Sequence, residues 1–531
     1  MIKKISALIV FVLFNATLLQ AQPALPKIEM YNGIPQLIVN KTPYVMLSGE
    51  LHNSSASSLE YMQPVWEKLK WLNLNTVIAT VSWELFEPVE GKYDYKLVEG
   101  LIMDARKHNI KLVFIWFATW KNSWSTYVPD WVKKDLTRFP RMQTTPGKNS
   151  GALSAWGNAT MQADAKAFAE LMQFIKKIDS KEQTVLMMQV QNETGVLGTT
   201  RDRSSAAEQA FVQQVPEELL TSLRQQKDEL TSELRLMMQH APGRTSGTWQ
   251  EIFGYGADEV FMAWHIAKYV DYITKAGKKA YNLPMFANAW LDPSFSKDVK
   301  PDYPSGGPVS KMLNIWRAAA PSIDLLAPDI YLDDFKRVCS QYAVSGNPLL
   351  IPETNPDIRS AANVYYALGQ YNAICFAPFA IDGFKDGTAN ALRQSYKSLY
   401  GFMPFWAKYS GKGKNVGFTF TNPNISRETF ILGDYRIEVR YSQQRDQKND
   451  MYESCGLILN TAPGEYYITG SNIRVSFHAL EGENKQAELL SHDEGEFING
   501  VWKPERRMNG DEREIRIGNE PKFRLIKLHK F

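Results

Sequence analysis

The chain has 531 residues, of which 44% are hydrophobic and 22% charged, with a formal net charge of +3. That length implies more than one domain and supplies enough apolar side chains for a large core. Lys and Arg (60) nearly balance Asp and Glu (57), and the two signs are interspersed, which excludes the clustered basic footprint of a nucleic-acid-binding protein.

The first residues read MIKKISALIVFVLFNATLLQAQPALPK. A basic start at Lys3 and Lys4 precedes an apolar stretch from Ile5 to Leu19, and Gln20-Ala21-Gln22 forms a cleavage region. This is the pattern of a secretory signal peptide over residues 1–21, short for a membrane span. A retained anchor is the alternative. No cysteine lies near the cut for lipidation, and no later segment is apolar enough to span a bilayer. The expected location is periplasmic or secreted. Cys339, Cys375 and Cys455 form neither a disulfide framework nor a metal-ligand pattern.

From residue 43 onward, eight short apolar runs alternate with helical patterns: YVMLSGELH, NTVIATVSWE, KLVFIWFATW, TVLMMQVQNE, PMFANAW, DLLAPDIYL, PLLIPET and AICFAPFAID. Leu59, Met62, Trp66, Leu69 and Leu72 recur at helical spacing, as do Leu97, Leu101 and Ala105. Strands alternating with helices imply a parallel sheet. Eight such units predict a (β/α)8 TIM barrel over residues 22–410, a fold of about 250 residues that lengthens with insertions. A doubly wound open sheet is the alternative, but its glycine-rich phosphate turn is missing after the first strand. The fourth unit carries an insertion over about residues 199–254. Within it, EELLTSLRQQKDELTSELRLMMQH reads as one charged amphipathic helix, either walling the site or decorating the surface. Gly411 to Asn415 reads as a linker. Residues 411–531 then break into short strands with turn residues, predicting a β-sandwich-like accessory domain.

In such barrels chemistry sits at the C-terminal ends of the strands. The run ends carry Glu50 and His52; Trp83 and Glu84; Trp120, Lys121 and Asn122; Asn192 and Glu193; Asn288 and Trp290; Asp329 and Tyr331; Glu353 and Asn355; and Asp382. A rim this rich in carboxylate, amide and indole suits a polyhydroxylated substrate. A metal site would want clustered histidines, and the whole chain has seven. The 14 Trp and 24 Tyr serve either large cores or flat faces for sugars.

Strict alternation places Gln189, Gln191 and Glu193 on one face of strand four, and Leu349, Ile351 and Glu353 on one face of strand seven. It also turns Asn192 away from Glu193, so both reach one site only if the strand ends or bulges there. Two glutamates from strands four and seven suggest retaining glycoside hydrolysis. That reaction needs one carboxylic acid to protonate the leaving oxygen and one carboxylate to attack the anomeric carbon, about 5–5.5 Å apart. The ionised nucleophile raises its neighbour's pKa, so the acid keeps its proton. Two carboxylates suffice, so no metal or organic cofactor is needed. The alternative for either glutamate is a buried ion pair.

At these residues the sequence resembles the clan of retaining (β/α)8 glycosidases in which an Asn-Glu pair ends strand four and a glutamate ends strand seven. Within it, the chain resembles glycoside hydrolase family 35, the β-galactosidases, in its bacterial branch with an extra C-terminal β-rich domain. MMQVQNETG matches the family's strand-four run, with Gln191 in place of its first glutamate. WELFEPVEGKYDY matches the strand-two signature at Trp83, Glu87, Pro88 and Gly91 and departs at Glu84 and Phe86. ATWKNSWSTYVPDWV matches the strand-three region at Ala118, Trp120, Pro129 and Trp131 and departs at Thr119, where the family has an acid that helps hold the terminal sugar. The resemblance implies Glu193 as acid/base, Glu353 as nucleophile, Asn192 on the sugar's 2-hydroxyl and Tyr331 orienting Glu353. It offers Trp83, Trp120 and Trp290 as stacking faces, each equally readable as packing. Glu50, Glu84, Lys121 and Asn122 are the further hydroxyl contacts. The implied activity is exo-cleavage of terminal β-galactose from oligo- or polysaccharide side chains such as those of xyloglucan. A clan relative with another sugar specificity, or a carbohydrate-binding protein on a degenerate barrel, are the competing readings.

Overall fold

The computed structural model describes residues 24–239, 243–293, 302–420, 425–441, 454–480 and 486–531. The expected signal peptide, residues 1–21, lies outside these. Among the described residues no helix is long and apolar enough to cross a membrane.

The eight apolar runs form eight parallel strands. They are β1 (Met46–Leu47), β2 (Thr76–Ser82), β3 (Lys111–Lys121), β4 (Val185–Asn192), β5 (Met285–Trp290), β6 (Leu325–Ile330), β7 (Leu350–Ile351 and, after Pro352, Glu353–Thr354) and β8 (Cys375–Phe376). Each pairs with the next, β8 pairs with β1, and a parallel bridge between Glu50 and Ile78 joins β1 to β2. The sheet is therefore a closed (β/α)8 barrel. The helices that follow the strands are α1 (Leu59–Trp71), α2 (Lys96–Lys107), α3 (Asn158–Asp179), α4 (Ala257–Ala280), α5 (Leu313–Ala319), α6 (Phe335–Tyr342), α7 (Ser360–Tyr371) and α8 (Asp386–Trp406).

The strands are apolar on both faces because both are covered. In β3, Val113, Ile115 and Phe117 fill the barrel interior, while Leu112, Phe114 and Trp116 pack under the helices. The interior plug also contains Met46, Ile78, Met187, Phe286, Leu325, Leu350 and Cys375. An N-terminal hairpin, Lys27–Tyr31 with Ile34–Val39, supplies Leu37 and Val39 to the same cluster and closes the bottom. The buried carboxyls Glu50, Glu193, Asp329 and Glu353 lie at the opposite, C-terminal mouth.

The insertion after β4 corrects one expectation. The stretch read as one helix is two, Glu217–Gln225 and Ser232–Met238. Thr231 ends the break between them: its hydroxyl caps the second helix at Leu234 N, and its own N–H donates to Asn314 on α5. Leu219, Leu220, Leu223, Leu234 and Met237 are buried, so the insertion packs on the barrel rather than standing in solvent.

The C-terminal region is a two-sheet sandwich. A six-stranded antiparallel sheet packs on a four-stranded one over Phe418, Ile437, Val439, Ile458, Ile468, Ile473 and Ile526. Alternation gives the larger sheet a second buried face: Leu457, Leu459, Tyr467 and Leu525 join the barrel's helix-side core, where Phe402 and Phe405 of α8 meet Phe497 at 5.0 and 4.8 Å between ring centroids. The residues read as a linker are pinned. Gly411 N and Asn415 Nδ2 both donate to Asn372, and Asn415 Nδ2 also reaches Gly369 O. Gly369 of α7 lies so near the first sandwich strand that an added Cβ would stand 2.5 Å from Gly417 Cα. Backbone on backbone has no side chain to yield, so Gly369→Ala is expected to lower stability by about 1–3 kcal/mol. Urea unfolding followed by tryptophan fluorescence checks this; an unchanged midpoint means the two parts are not packed as described.

Candidate active site

The mouth is built from strand ends that alternate inward. Asn288 lies in register with interior Ala327, Trp290 with Asp329, and Asp329 with Glu353. Tyr331, two residues beyond Asp329, continues the same face. On β7 the strand breaks at Pro352, and this is where alternation fails: Ile351 packs under the helices while Glu353 turns into the mouth. The expected shared face of Ile351 and Glu353 is thus corrected.

β4 departs from alternation too. Gln189 faces inward, in register with Ile115 and Phe286. Gln191 adopts φ +65° and Glu193 φ +44°, both left-handed. The first reversal throws the Gln191 side chain outward, to Asp164 on α3, where Nε2 donates to Oδ2 at 2.7 Å. Asn192 then points inward, and Glu193 follows with its N–H held by Asn288 Oδ1 at 3.0 Å. Gly195 follows at φ +148°, with Pro304 occupying the space a side chain would need. Gln191 is therefore not on the face of Glu193, and the bend lets neighbouring residues Asn192 and Glu193 serve one site.

Glu353 is 3% exposed and ringed by donors. Tyr331 Oη donates to Oε2 at 2.8 Å, Asn192 Nδ2 to Oε1 at 3.1 Å, and Asn288 Nδ2 to Oε1 at 3.5 Å. These are the surroundings of a carboxylate that accepts and does not donate. Burial and the charge of Glu353 push the Tyr331 phenol far up, so it stays a donor. One carboxylate oxygen from each of Glu193, Asp329 and Glu353 lies within 4.8 Å of the others. Burial first, then repulsion from Glu353, pushes Glu193 up to about 8, against the pull of Lys121. Asp329, held through Oδ2 by Asn288 Nδ2 at 2.7 Å, is pushed well above the carboxylate range by burial and by Glu353. The same three carboxyls are, among the described residues, the group that could surround a metal ion.

Glu50 is buried at the end of β1, bridged to interior Ile78, and raised by burial, Glu353 and Glu193. Lys121 reaches the mouth through a bulge: β3 pairs Trp116 with Val190 and next Lys121 with Asn192. Asn122 N and Ser123 N donate to the carbonyls of Asn192 and Glu193, so Asn122 flanks the acid. Trp290 is half-buried on the site-facing side of β5.

Two expected stacking faces do not reach the mouth. Trp83 is fully buried, its N–H on Glu87 and its ring edge-on to Trp131. Trp120 is fully buried against Tyr269 and donates to Leu153 O. Neither offers a free face. Glu84 pairs with Lys133 at 3.0 Å. Thr119, the departure from the family-35 motif noted in the sequence, also turns away: the same bulge sends its hydroxyl to Asp164 and Tyr269. Asp329 is the member whose role the sequence left unassigned; its place two residues before Tyr331 was the available signal.

Residues 56–234 match the family model described as beta-galactosidase, glycoside hydrolase family 42. The match contains Glu193 and ends before Glu353. Its family is 42, where the sequence motifs resemble family 35. Residues 392–518 match a model described as a domain of unknown function, DUF5597, which begins within α8 and takes in most of the sandwich. No curated protein matches the chain. Similar solved structures include a β-galactosidase from the haloarchaeon Halorubrum lacusprofundi (13% identity, TM-score 0.46, covering 68% of this chain and 61% of that one). Another is a β-galactosidase from Bacillus circulans sp. alkalophilus (12%, 0.46, 68% and 56%). The catalytic domain of a β-amylase from Paenibacillus polymyxa is similar to the same degree (12%, 0.46, 66% and 96%). The chain thus spans about three fifths of the first relative's length.

Proposed function

We propose that this chain is an exported, retaining exo-β-galactosidase of the family-35 type, releasing terminal galactose from oligo- or polysaccharide side chains such as those of xyloglucan. One observation carries the reading: two carboxyls with oxygens within 4.8 Å, one ringed by donors and the other raised to about 8. Oxygens this close suit the roughly 5–5.5 Å of a retaining pair better than the about 6.5–9.5 Å of an inverting one. Glu353 attacks the anomeric carbon while Glu193 hands its proton to the leaving oxygen. Glu193 then takes a proton from the water that opens the glycosyl ester. Asn192, already on Glu353, meets the 2-hydroxyl, a contact that strengthens in the transition state. Export rests on the N-terminal sequence alone.

The outward turn of Thr119 favours one second reading, the same mechanism on another glycone, with Lys121 and Glu50 supplying the contacts. Hydrolysis of nitrophenyl β-galactoside beside the glucoside, arabinoside and mannoside tests both. Galactoside cleavage with the β-anomer as first product is the expected result. Preference for another sugar discards galactose and keeps the mechanism. An α-anomer as first product overturns the retaining mechanism, and cleavage of no glycoside including natural oligosaccharides overturns the enzyme reading.

A further inference from the structure

The bend that delivers Asn192 and Glu193 is held from behind the barrel wall. Gln191 joins the two irregular strands: its Oε1 accepts the Trp120 N–H inside the β3 bulge at 2.9 Å, and its Nε2 donates to Asp164 at 2.7 Å. Asp164 also takes Trp116 Nε1 at 2.7 Å and Thr119 Oγ1 at 2.6 Å. Both Gln191 and Asp164 are fully buried. Three donors thus converge on one carboxylate, and they come from β3 and β4 at the points where each leaves regular pairing. A left-handed backbone on a residue with a long side chain is strained and persists only where surroundings over-determine it. Here the Gln191 amide is over-determined at both ends.

We propose that Gln191 and Asp164 are a positioning pair that aims the acid Glu193 at the leaving oxygen. Neither touches substrate. The pair acts through the φ of Gln191, which sets Glu193. The inference rests on Glu193 being the acid, and its test separates the two ideas.

Gln191→Met keeps side-chain length and removes both hydrogen bonds. A misplaced acid matters only where the leaving group needs a proton. For phenyl β-galactoside, kcat/KM is expected to fall about 10²-fold, the lower end of what a positioned acid contributes. For 2,4-dinitrophenyl β-galactoside, whose leaving group departs unprotonated, the fall is expected to be below about threefold on the same grounds. Gln191→Glu is expected to recover most of the loss at mildly acidic pH, because a protonated carboxyl can donate to Asp164 and accept from Trp120. Equal losses on both substrates overturn the proposal, since general damage to the barrel does not read the leaving group. Unchanged rates on both overturn it as well. If Gln191→Met does not fold, Asp164→Asn carries the same comparison and the same outcomes. Wild type that cleaves neither substrate, nor their glucoside and arabinoside counterparts, refutes the acid assignment itself. Wild-type cleavage with no leaving-group dependence in the variants refutes only the positioning pair.

Discussion

Glu353→Ala is expected to lower kcat on nitrophenyl β-galactoside by on the order of 10⁴-fold or more, the scale on which removing a covalent nucleophile acts. Glu353 is the acid placed to attack. Its two oxygens take hydrogen bonds from Tyr331, Asn192 and Asn288, so its orientation is fixed before substrate arrives. Losing the carboxylate removes the bond-forming atom and the negative charge facing the oxocarbenium-like transition state together. Truncation also opens space beside three stranded donors, which a small anion can occupy. Azide is therefore expected to restore turnover, and the product should be the α-galactosyl azide, because a single displacement inverts. A β-azide would place Glu353 on the leaving-group side and reverse the two roles. Full activity without azide would remove Glu353 from the chemistry.

The sequence spoke clearly wherever hydrophobic alternation and strand ends carry the information. VFIWF in β3 is apolar at every position because both of its faces are covered, and eight such runs closed into the expected barrel. Glu193, Glu353 and Tyr331 converge because a strand end must face the mouth. The pattern failed where the backbone leaves the ideal strand. No rule of alternation records the positive φ of Gln191, the break at Pro352 or the bulge that skips from Trp116 to Lys121. Each moves a side chain to the opposite face, as a one-residue slip does. Gln191 and Thr119 consequently went out. Trp83 and Trp120 are a different case: the sequence left packing and stacking equally open, and the helices lying over the strand end decide between them. Here Trp131 and Tyr269 cover them. In the insertion, Thr231 and Asn314 made two helices from a pattern that periodicity alone reads as one.

Glu193→Ala is expected to separate from Glu353→Ala by leaving group, product and pH. Without its acid the enzyme should lose about 10²–10⁴-fold on substrates with poor leaving groups and far less on dinitrophenyl galactoside. Azide should now attack the glycosyl ester at Glu353 and give the β-galactosyl azide, the opposite anomer from the nucleophile variant. The pH profile follows from the causes of the shift. Burial and the charge of Glu353 favour the protonated form and raise Glu193 to about 8, so the acid is competent below that pH and activity should fall as pH rises through it. Glu193→Ala should erase that limb. Glu353→Gln keeps the shape and deletes the charge, so Glu193 should titrate lower in that variant, readable by ¹³C-carboxyl NMR. The same substitution mimics what happens in turnover: once Glu353 becomes an ester, its charge is gone and Glu193 turns from acid to base. A Glu193 resonance that does not move in Glu353→Gln would mean that burial alone sets the proton, and that the switch from acid to base needs another cause.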